Sequence, residues 1–210
     1  MISLSNLQLP FIFLIILSFL IFNSCDKTVR EDVPDPAADQ LSGEQLAFWD
    51  NIQSHCGNAY EGILADATPY YQMDEEHFVI HVRDCTDTLT HISLHIDGDN
   101  SRNLMLTKAD GTLRLKHDHR NPDGTEEEIT QYGGDAPKPG LETRQIFWAD
   151  AHTASILPLR DDNFWFLDIM DEKTLAYGVH WPREGHSIRI EFDTSQTVEK
   201  PDDPWGYERD

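Results

Sequence analysis

The chain has 210 residues, and its 38 Asp and Glu against 16 Lys and Arg give a formal net charge of -22. Nucleic-acid and anionic-lipid binding surfaces are excluded by this balance, because both depend on Lys and Arg to meet phosphates. The 39% hydrophobic and 10% aromatic residues suffice for the core of one domain. The acidic surface is typical of charge that maintains solubility, and binding of cations or basic partners is the alternative.

The N-terminus predicts export. Residues 9–22 form an apolar run (LPFIFLIILSFLIF) that is shorter than the roughly 20 residues of a membrane span and typical of a signal peptide. The run leads into Ser24-Cys25, a junction that resembles the lipobox of bacterial lipoproteins, although Phe22 and Asn23 differ from the usual residues. The resemblance implies that Cys25 carries palmitate and anchors the protein in the bilayer of the bacterial cell envelope, facing the periplasm or the exterior. Ordinary secretion and an uncleaved anchor are the alternatives.

The lipobox resemblance, the strand pattern and the composition together predict four parts along the chain. They are a lipoprotein signal peptide (residues 1–24), a disordered tether (25–42), a single β-barrel domain with an N-terminal helix (43–195) and an acidic, disordered tail (196–210). The tether and the tail are predicted to be disordered because both are rich in Asp and Pro and lack an apolar period.

Two cysteines remain if Cys25 is lipidated. Outside the cytoplasm, Cys56 and Cys85 predict a disulfide that closes a loop of about 30 residues. Two buried free thiols are the alternative.

A helix is predicted at the start of the domain. Ser42 is a suitable N-cap with Gln45 as its capping-box partner, and Gly57 is a natural stop after a helix over residues 43–56. One apolar face is predicted for this helix, made of Leu46, Phe48, Trp49, Ile52 and Cys56. We expect the helix to lie as a plug or lid against the strands that follow.

The rest of the domain predicts about ten short strands. They cover residues 59–67, 77–85, 90–97, 103–107, 112–120, 127–132, 143–149, 164–170, 174–181 and 186–192, with one ambiguous helical turn over 149–156. Helical crossovers are absent from the pattern, which favours antiparallel pairing, and closure would remove the exposed edges. The predicted fold is all-β, an antiparallel up-and-down barrel that is lipocalin-like in architecture only, and a two-sheet sandwich is the alternative.

Alternation along the strands predicts which side chains face inward. In the strand over residues 90–97, Ile92, Leu94 and Ile96 face the interior, and His91 and His95 face outward.

The stretch from residue 111 to 134 holds the nearest candidate for a chemical site. Alternation places His117 and His119 on the inward face, and a turn over residues 121–124 sets the register of the return strand. In that register His119 lies opposite Glu126 and His117 opposite Glu128. Two imidazoles and a carboxylate are capable of binding a divalent metal ion such as Zn, Fe or Mn. A hydrated rim without metal is the alternative interpretation.

The same stretch partly resembles the first motif of the cupin family. Gly111, His117, His119, Glu126 and Gly133 stand in the order of that motif, but the gap from the histidine pair to the glutamate is longer. The resemblance implies a metal-dependent enzyme or a metal carrier. A second cupin motif is not convincingly present.

A second resemblance covers most of the chain after the signal peptide. It is carried by residues 56–62 (CGNAYEG), 114–120 (RLKHDHR) with Asp123-Gly124, 132–134 (YGG) and 149–153 (ADAHT). In these segments the chain resembles an uncharacterised family of secreted or lipid-anchored bacterial proteins. The resemblance implies an extracytoplasmic compartment and a single domain, and it implies no activity.

These patterns favour a non-catalytic envelope lipoprotein whose barrel binds a small apolar molecule or a partner. The candidate ligand-binding residues are Tyr60, His117, His119, Tyr132 and His152. The first alternative is a metal-dependent enzyme or carrier that uses His117, His119, Glu126 and Glu128. The second is a structural or interaction module with a filled barrel. No nucleic-acid partner is expected.

Overall fold

The computed structural model describes residues 40–67 and 76–208. The predicted signal peptide, Cys25 and nearly all of the predicted tether lie outside the described residues and stay predictions. Among the helices of the described part, none is long and apolar enough to cross a membrane.

The described residues form ten strands and two helices. In chain order they are α1 (Gly43–Ser54), β1 (Ala59–Ala67), β2 (Phe78–Cys85), β3 (Leu89–Ile96), β4 (Asp99–Ala109), β5 (Thr112–His119), β6 (Tyr132–Asp135), β7 (Arg144–Trp148), α2 (Ala151–Ile156), β8 (Phe164–Asp171), β9 (Thr174–Trp181) and β10 (His186–Asp193). The strand order is β6-β5-β4-β3-β2-β1-β10-β9-β8-β7, and every pair is antiparallel. The predicted all-β, up-and-down barrel is confirmed as a sheet that nearly closes on itself.

The seam between β6 and β7 is closed by contacts other than strand pairing. The Gly133 carbonyl accepts a hydrogen bond from the Asp150 N–H at 2.9 Å, and the Gly133 N–H donates to Thr153 Oγ1 at 2.8 Å. A Cβ atom on Gly134 would lie 1.8 Å from the Trp148 carbonyl oxygen, so only glycine permits this approach. Asp150 also caps α2 and pairs with Lys116 of β5, which ties the two edges together.

Helix α1 begins with the predicted capping box between Ser42 and Gln45 and ends at Ser54, two residues earlier than predicted. Its buried face contains Phe48, Trp49 and Ile52, but the predicted Leu46 is 43% exposed. Gln45 is buried in its place, because its amide donates to Thr112 Oγ1 at 3.0 Å at the start of β5. The helix therefore closes one end of the barrel.

A disulfide joins Cys56, just after α1, to Cys85 at the end of β2, in the pairing that the sequence predicted. Next to it, the Gly57 N–H donates to the Val82 carbonyl, and the Val82 N–H donates to the Asn58 carbonyl. The end of the helix is thus tied to β2 both covalently and by backbone hydrogen bonds.

The predicted return strand over residues 127–132 is wrong. The carbonyls of His119 and His117 are two residues apart on β5, but they accept from the N–H groups of Glu127 and Gln131, which are four residues apart. Two extra residues are therefore looped out of the ladder, and the paired strand begins only at Tyr132. As a result Tyr132, and not Glu128, lies opposite His117.

The outer face of β3 is covered by the C-terminal residues. His91 and His95 alternate with the inward Ile92 and Leu94, as predicted, yet they are only 3% and 4% exposed. The centroid of the Tyr207 ring lies 4.6 Å from that of the His91 ring. The backbone carbonyl of Tyr207 accepts a hydrogen bond from the buried side chain of Arg83.

The predicted disordered tail thus differs from the structure over residues 196–208. Tyr207 donates through its hydroxyl to Asp118, and the Trp205 N–H donates to the Asn100 carbonyl at 3.2 Å. The acidic, Pro-containing composition predicted disorder. It could not reveal the order, because the tail is held by polar groups on strands that are distant in the sequence.

Candidate functional site

The barrel contains a cavity of about 610 Å³ at the end opposite α1. Its lining includes Ile96 at the end of β3, Asp99 at the start of β4, His119 at the end of β5 and Trp181 at the end of β9. A volume of several hundred Å³ is in the range of sites that bind small molecules.

The cavity wall is mainly apolar. Alternation along the strands turns aliphatic and aromatic side chains toward it. The apolar lining consists of Leu94, Ile96, Leu104, Ile129, Leu157, Trp165, Val179, Trp181, Ile188 and Ile190. Such a wall favours a ligand with a large apolar body, since burial of its surface supplies the driving force.

His117 is the central polar residue of the wall and is 1% exposed. Its Nε2 lies 2.8 Å from the Tyr177 hydroxyl, and its Nδ1 lies 3.1 Å from the Tyr132 carbonyl oxygen. The imidazole also stacks on the Tyr132 ring, with 4.5 Å between centroids and 11° between planes. Burial, with a smaller repulsion from His119, lowers the pKa of His117 to about 3, so the ring is neutral at neutral pH.

The tautomer of His117 follows from these partners. A carbonyl oxygen only accepts hydrogen bonds, so the single proton of the neutral ring is on Nδ1 and points to Tyr132. Nε2 is then an acceptor and receives the Tyr177 hydroxyl proton. Burial raises the pKa of Tyr177 well above its ordinary value, so this phenol keeps its proton.

A second pair lies beside the first. His119 Nε2 is 2.9 Å from the Tyr132 hydroxyl, and His119 Nδ1 is 3.8 Å from a Glu127 carboxylate oxygen. Burial lowers the pKa of His119 to about 4 and raises the pKa of Tyr132 to about 12, so both groups are neutral at neutral pH. The nearby carboxylate favours the His119 proton on Nδ1, which leaves Nε2 to accept from the Tyr132 hydroxyl.

Charged side chains line the mouth of the cavity. Three are carboxylates (Glu76, Asp97 and Asp99) and two are guanidinium groups (Arg102 and Arg160). Arg102 pairs with Asp99, and Arg160 pairs with Glu184 beyond the cavity. The mouth therefore carries a surplus of negative charge, whereas the two imidazoles of the wall are neutral at neutral pH.

The predicted metal site is wrong in its composition. The looped-out residues place Glu128 on the exposed surface, and Glu126 Oε1 lies 3.4 Å from Arg120 instead of facing the histidines. Within residues 40–67 and 76–208, no group of three His, Cys, Asp or Glu side chains is arranged to hold a metal ion. The partners of His117 and His119 are tyrosines.

The remaining predicted site residues divide into two groups. Tyr132 lines the cavity together with both histidines. Tyr60 lies near the α1 end of the barrel, where its hydroxyl is 2.8 Å from His55 Nδ1. His152 is exposed on α2 and bonds to the Thr130 carbonyl at 3.1 Å. Neither Tyr60 nor His152 is part of the cavity wall.

Sequence reasoning did not assign Tyr177, Trp165 or Asn163 to the site, although all three line the cavity. Tyr177 was detectable, because it alternates with Leu175 and Val179 on the inward face of the predicted strand over residues 174–181. Trp165 carried a weaker signal, since an aromatic residue next to other aromatics is usually core. Asn163 precedes β8 in a turn and carried no signal at all.

No protein-family model, no curated protein and no solved structure matches the chain. The family resemblance seen in the sequence stays a prediction.

Proposed function

We propose that this protein is a cell-envelope binding protein whose barrel takes up a small, mainly apolar molecule. The observation that carries the proposal is the cavity of about 610 Å³, with its largely aliphatic and aromatic wall. Pockets of this size and lining, with a few well-placed polar groups, are typical of small-molecule sites.

The polar groups of the cavity favour binding over acid–base catalysis. A general base needs a pKa near the working pH, but the pKa values of His117 and His119 are about 3 and 4. The lone pair of His117 Nε2 is also occupied by the Tyr177 hydroxyl. These hydrogen bonds hold the two histidine side chains in place, and neither imidazole is left as a free base.

The compartment is part of the proposal. The disulfide between Cys56 and Cys85 supports an oxidising environment, because such bonds rarely persist in the cytosol. This agrees with export through the apolar run of residues 9–22. We further propose that lipidated Cys25 anchors the barrel to a bacterial membrane.

The binding proposal is tested by filling the cavity. Ile190 lines it from β10 and is 2% exposed, so an Ile190→Trp substitution places an indole in the space of the ligand. We expect the wild-type chain to bind the neutral fluorescent dye Nile red, and the variant to bind it at least about tenfold more weakly. The measurement is an equilibrium titration of dye fluorescence.

The matched control is Ile63→Trp. Ile63 lies on β1 and is 67% exposed, so the same substitution there leaves the cavity unchanged. Equal loss of dye affinity in both variants, or no saturable dye binding by the wild type, would contradict the proposal. Melting curves of both variants show whether each is folded.

The anchor is tested independently of the cavity. In cells given labelled palmitate, the wild-type chain is expected to carry the label and to sediment with membranes, and Cys25→Ser is expected to lose both properties. Cys56→Ser is the control, because that cysteine belongs to the disulfide and should leave the label in place. Equal labelling of the wild type and Cys25→Ser would refute the anchor.

A further inference from the structure

The hydrogen bonds of the cavity wall determine which polar group a ligand presents there. His117 gives its one proton to the Tyr132 carbonyl, and Tyr177 gives its hydroxyl proton to His117 Nε2. The Tyr177 hydroxyl has no second proton to donate, but its oxygen keeps a lone pair that accepts. At this point of the wall, the protein therefore offers an acceptor.

The neighbouring pair has the same polarity. The Glu127 carboxylate, 3.8 Å from His119 Nδ1, favours the tautomer with the proton on Nδ1. In that tautomer the Tyr132 hydroxyl donates to His119 Nε2, and its oxygen remains as an acceptor. In that tautomer, both phenolic hydroxyls of the wall donate their protons to imidazoles and present their oxygens as acceptors.

A third side chain of the lining adds to this pattern. Asn163 is 2% exposed, and its Oδ1 has no hydrogen-bond partner among the described residues. An unpaired buried amide oxygen is destabilising, and a hydrogen-bond donor on a ligand would relieve that cost. The backbone of Asn163 is already satisfied, since its N–H donates to the Arg160 carbonyl and its carbonyl accepts from Ala149.

The surplus of negative charge at the mouth disfavours anionic ligands. Arg102 pairs with Asp99 and Arg160 pairs with Glu184, so each guanidinium charge already lies beside a carboxylate. Glu76 and Asp97 line the same mouth and repel an anion. A fatty acid or a similar anion is therefore a poor match for this cavity.

We infer that the cavity binds an uncharged, mainly apolar molecule carrying a hydroxyl or N–H group that donates to the tyrosine oxygens of the wall. The inference rests on the proposed function and specifies its ligand class. Accordingly, an alcohol or a phenol should bind more tightly than an ether or a carboxylate of the same size.

Three probes of matched shape test it, namely 4-octylphenol, 4-octylanisole and 4-octylbenzoate. They share the ring and the alkyl chain, and they differ in presenting a donor, a methylated oxygen or an anion. Their affinities are measured by displacement of Nile red at pH 7.5. We expect the phenol to bind about tenfold more tightly than the anisole and at least about tenfold more tightly than the benzoate.

The second test is a substitution that makes Tyr177 a hydrogen-bond donor toward the ligand instead of an acceptor. His117→Phe keeps a ring stacked on Tyr132 but removes the acceptor of the Tyr177 proton, which then becomes available to the oxygen of a ligand. The phenol-to-anisole ratio is expected to fall toward one. His152→Phe is the matched control outside the cavity, and it should keep the wild-type ratio.

The outcomes separate this inference from the proposed function. Saturable Nile red binding with equal affinities for phenol and anisole in the wild type would overturn the donor inference and leave the binding function standing. Tightest binding of the benzoate would do the same. If the wild type does not bind Nile red, both fail. The wild-type comparison decides the matter even if His117→Phe does not fold.

Discussion

Replacing Phe48 by alanine is expected to lower the free energy of unfolding by about 3–5 kcal/mol. Phe48 is fully buried in α1 and belongs to the same core cluster as Leu113 and Phe147 of the barrel. Its loss leaves a cavity at the end of the barrel that the helix closes. Urea unfolding followed by circular dichroism measures the change.

Leu46→Ala is the matched control for this result. Leu46 lies two residues away in the same helix but is 43% exposed, so we expect its truncation to cost less than about 1 kcal/mol. If both substitutions lowered the free energy of unfolding by similar amounts, Phe48 would not be the residue that packs α1 into the barrel. A small cost for both would mean that the helix does not close the barrel in solution.

Loss of the disulfide is expected to lower the free energy of unfolding by about 3–4 kcal/mol. The bond between Cys56 and Cys85 closes a loop with a sequence separation of 29 and therefore restricts the unfolded chain. The Cys56→Ser/Cys85→Ser double variant and the wild type are compared by chemical unfolding, each with and without a thiol reductant. Reductant should destabilise the wild type and leave the double variant unchanged.

An unchanged wild type in reductant has two explanations that a thiol count separates. If the native protein contains two reactive thiols after reductant and keeps its stability, the predicted entropic contribution of the bond is wrong. If free thiols are found without any reductant, the bond itself is absent in solution. Only the second result removes the support that the disulfide gives to an oxidising compartment.

Local sequence signals predicted the fold well. The capping box at Ser42 and Gln45 marked the start of α1, and alternation marked the strands closely enough that β1 and β9 match their predicted bounds. The absence of crossover helices from the pattern then implied antiparallel neighbours and an up-and-down barrel. These features depend on residues close together in the sequence, so the sequence expresses them directly.

The site was only partly predictable, because it depends on register and on distant partners. Alternation placed His117 and His119 on the inward face, where the structure has them. The predicted partners of the two histidines, Glu126 and Glu128, were wrong, because two extra residues between Glu127 and Gln131 shift the register. No turn signal in the sequence marks that insertion. The same limit applies to Tyr177, whose hydroxyl meets His117 across 60 positions of sequence.

The C-terminal residues illustrate a different limit. Their acidic, Pro-containing composition predicted disorder, but Tyr207 bonds to buried Asp118 and packs beside His91. Both partners are polar residues on the outer face of the barrel, which alternation assigned to solvent. At such positions a distant segment of the chain buries a side chain that alternation assigns to solvent. The pattern within one strand does not show which distant segment will cover it.

A crystal structure of the protein with 4-octylphenol would show directly whether the barrel binds an apolar ligand that carries a hydroxyl group. We expect the phenol ring inside the cavity next to Trp165, with its hydroxyl at a hydrogen-bond distance of about 2.6–3.0 Å from the Tyr177 or Tyr132 oxygen. An empty cavity at a saturating concentration of the phenol, or a ligand found only on the outer surface, would contradict a ligand-binding barrel.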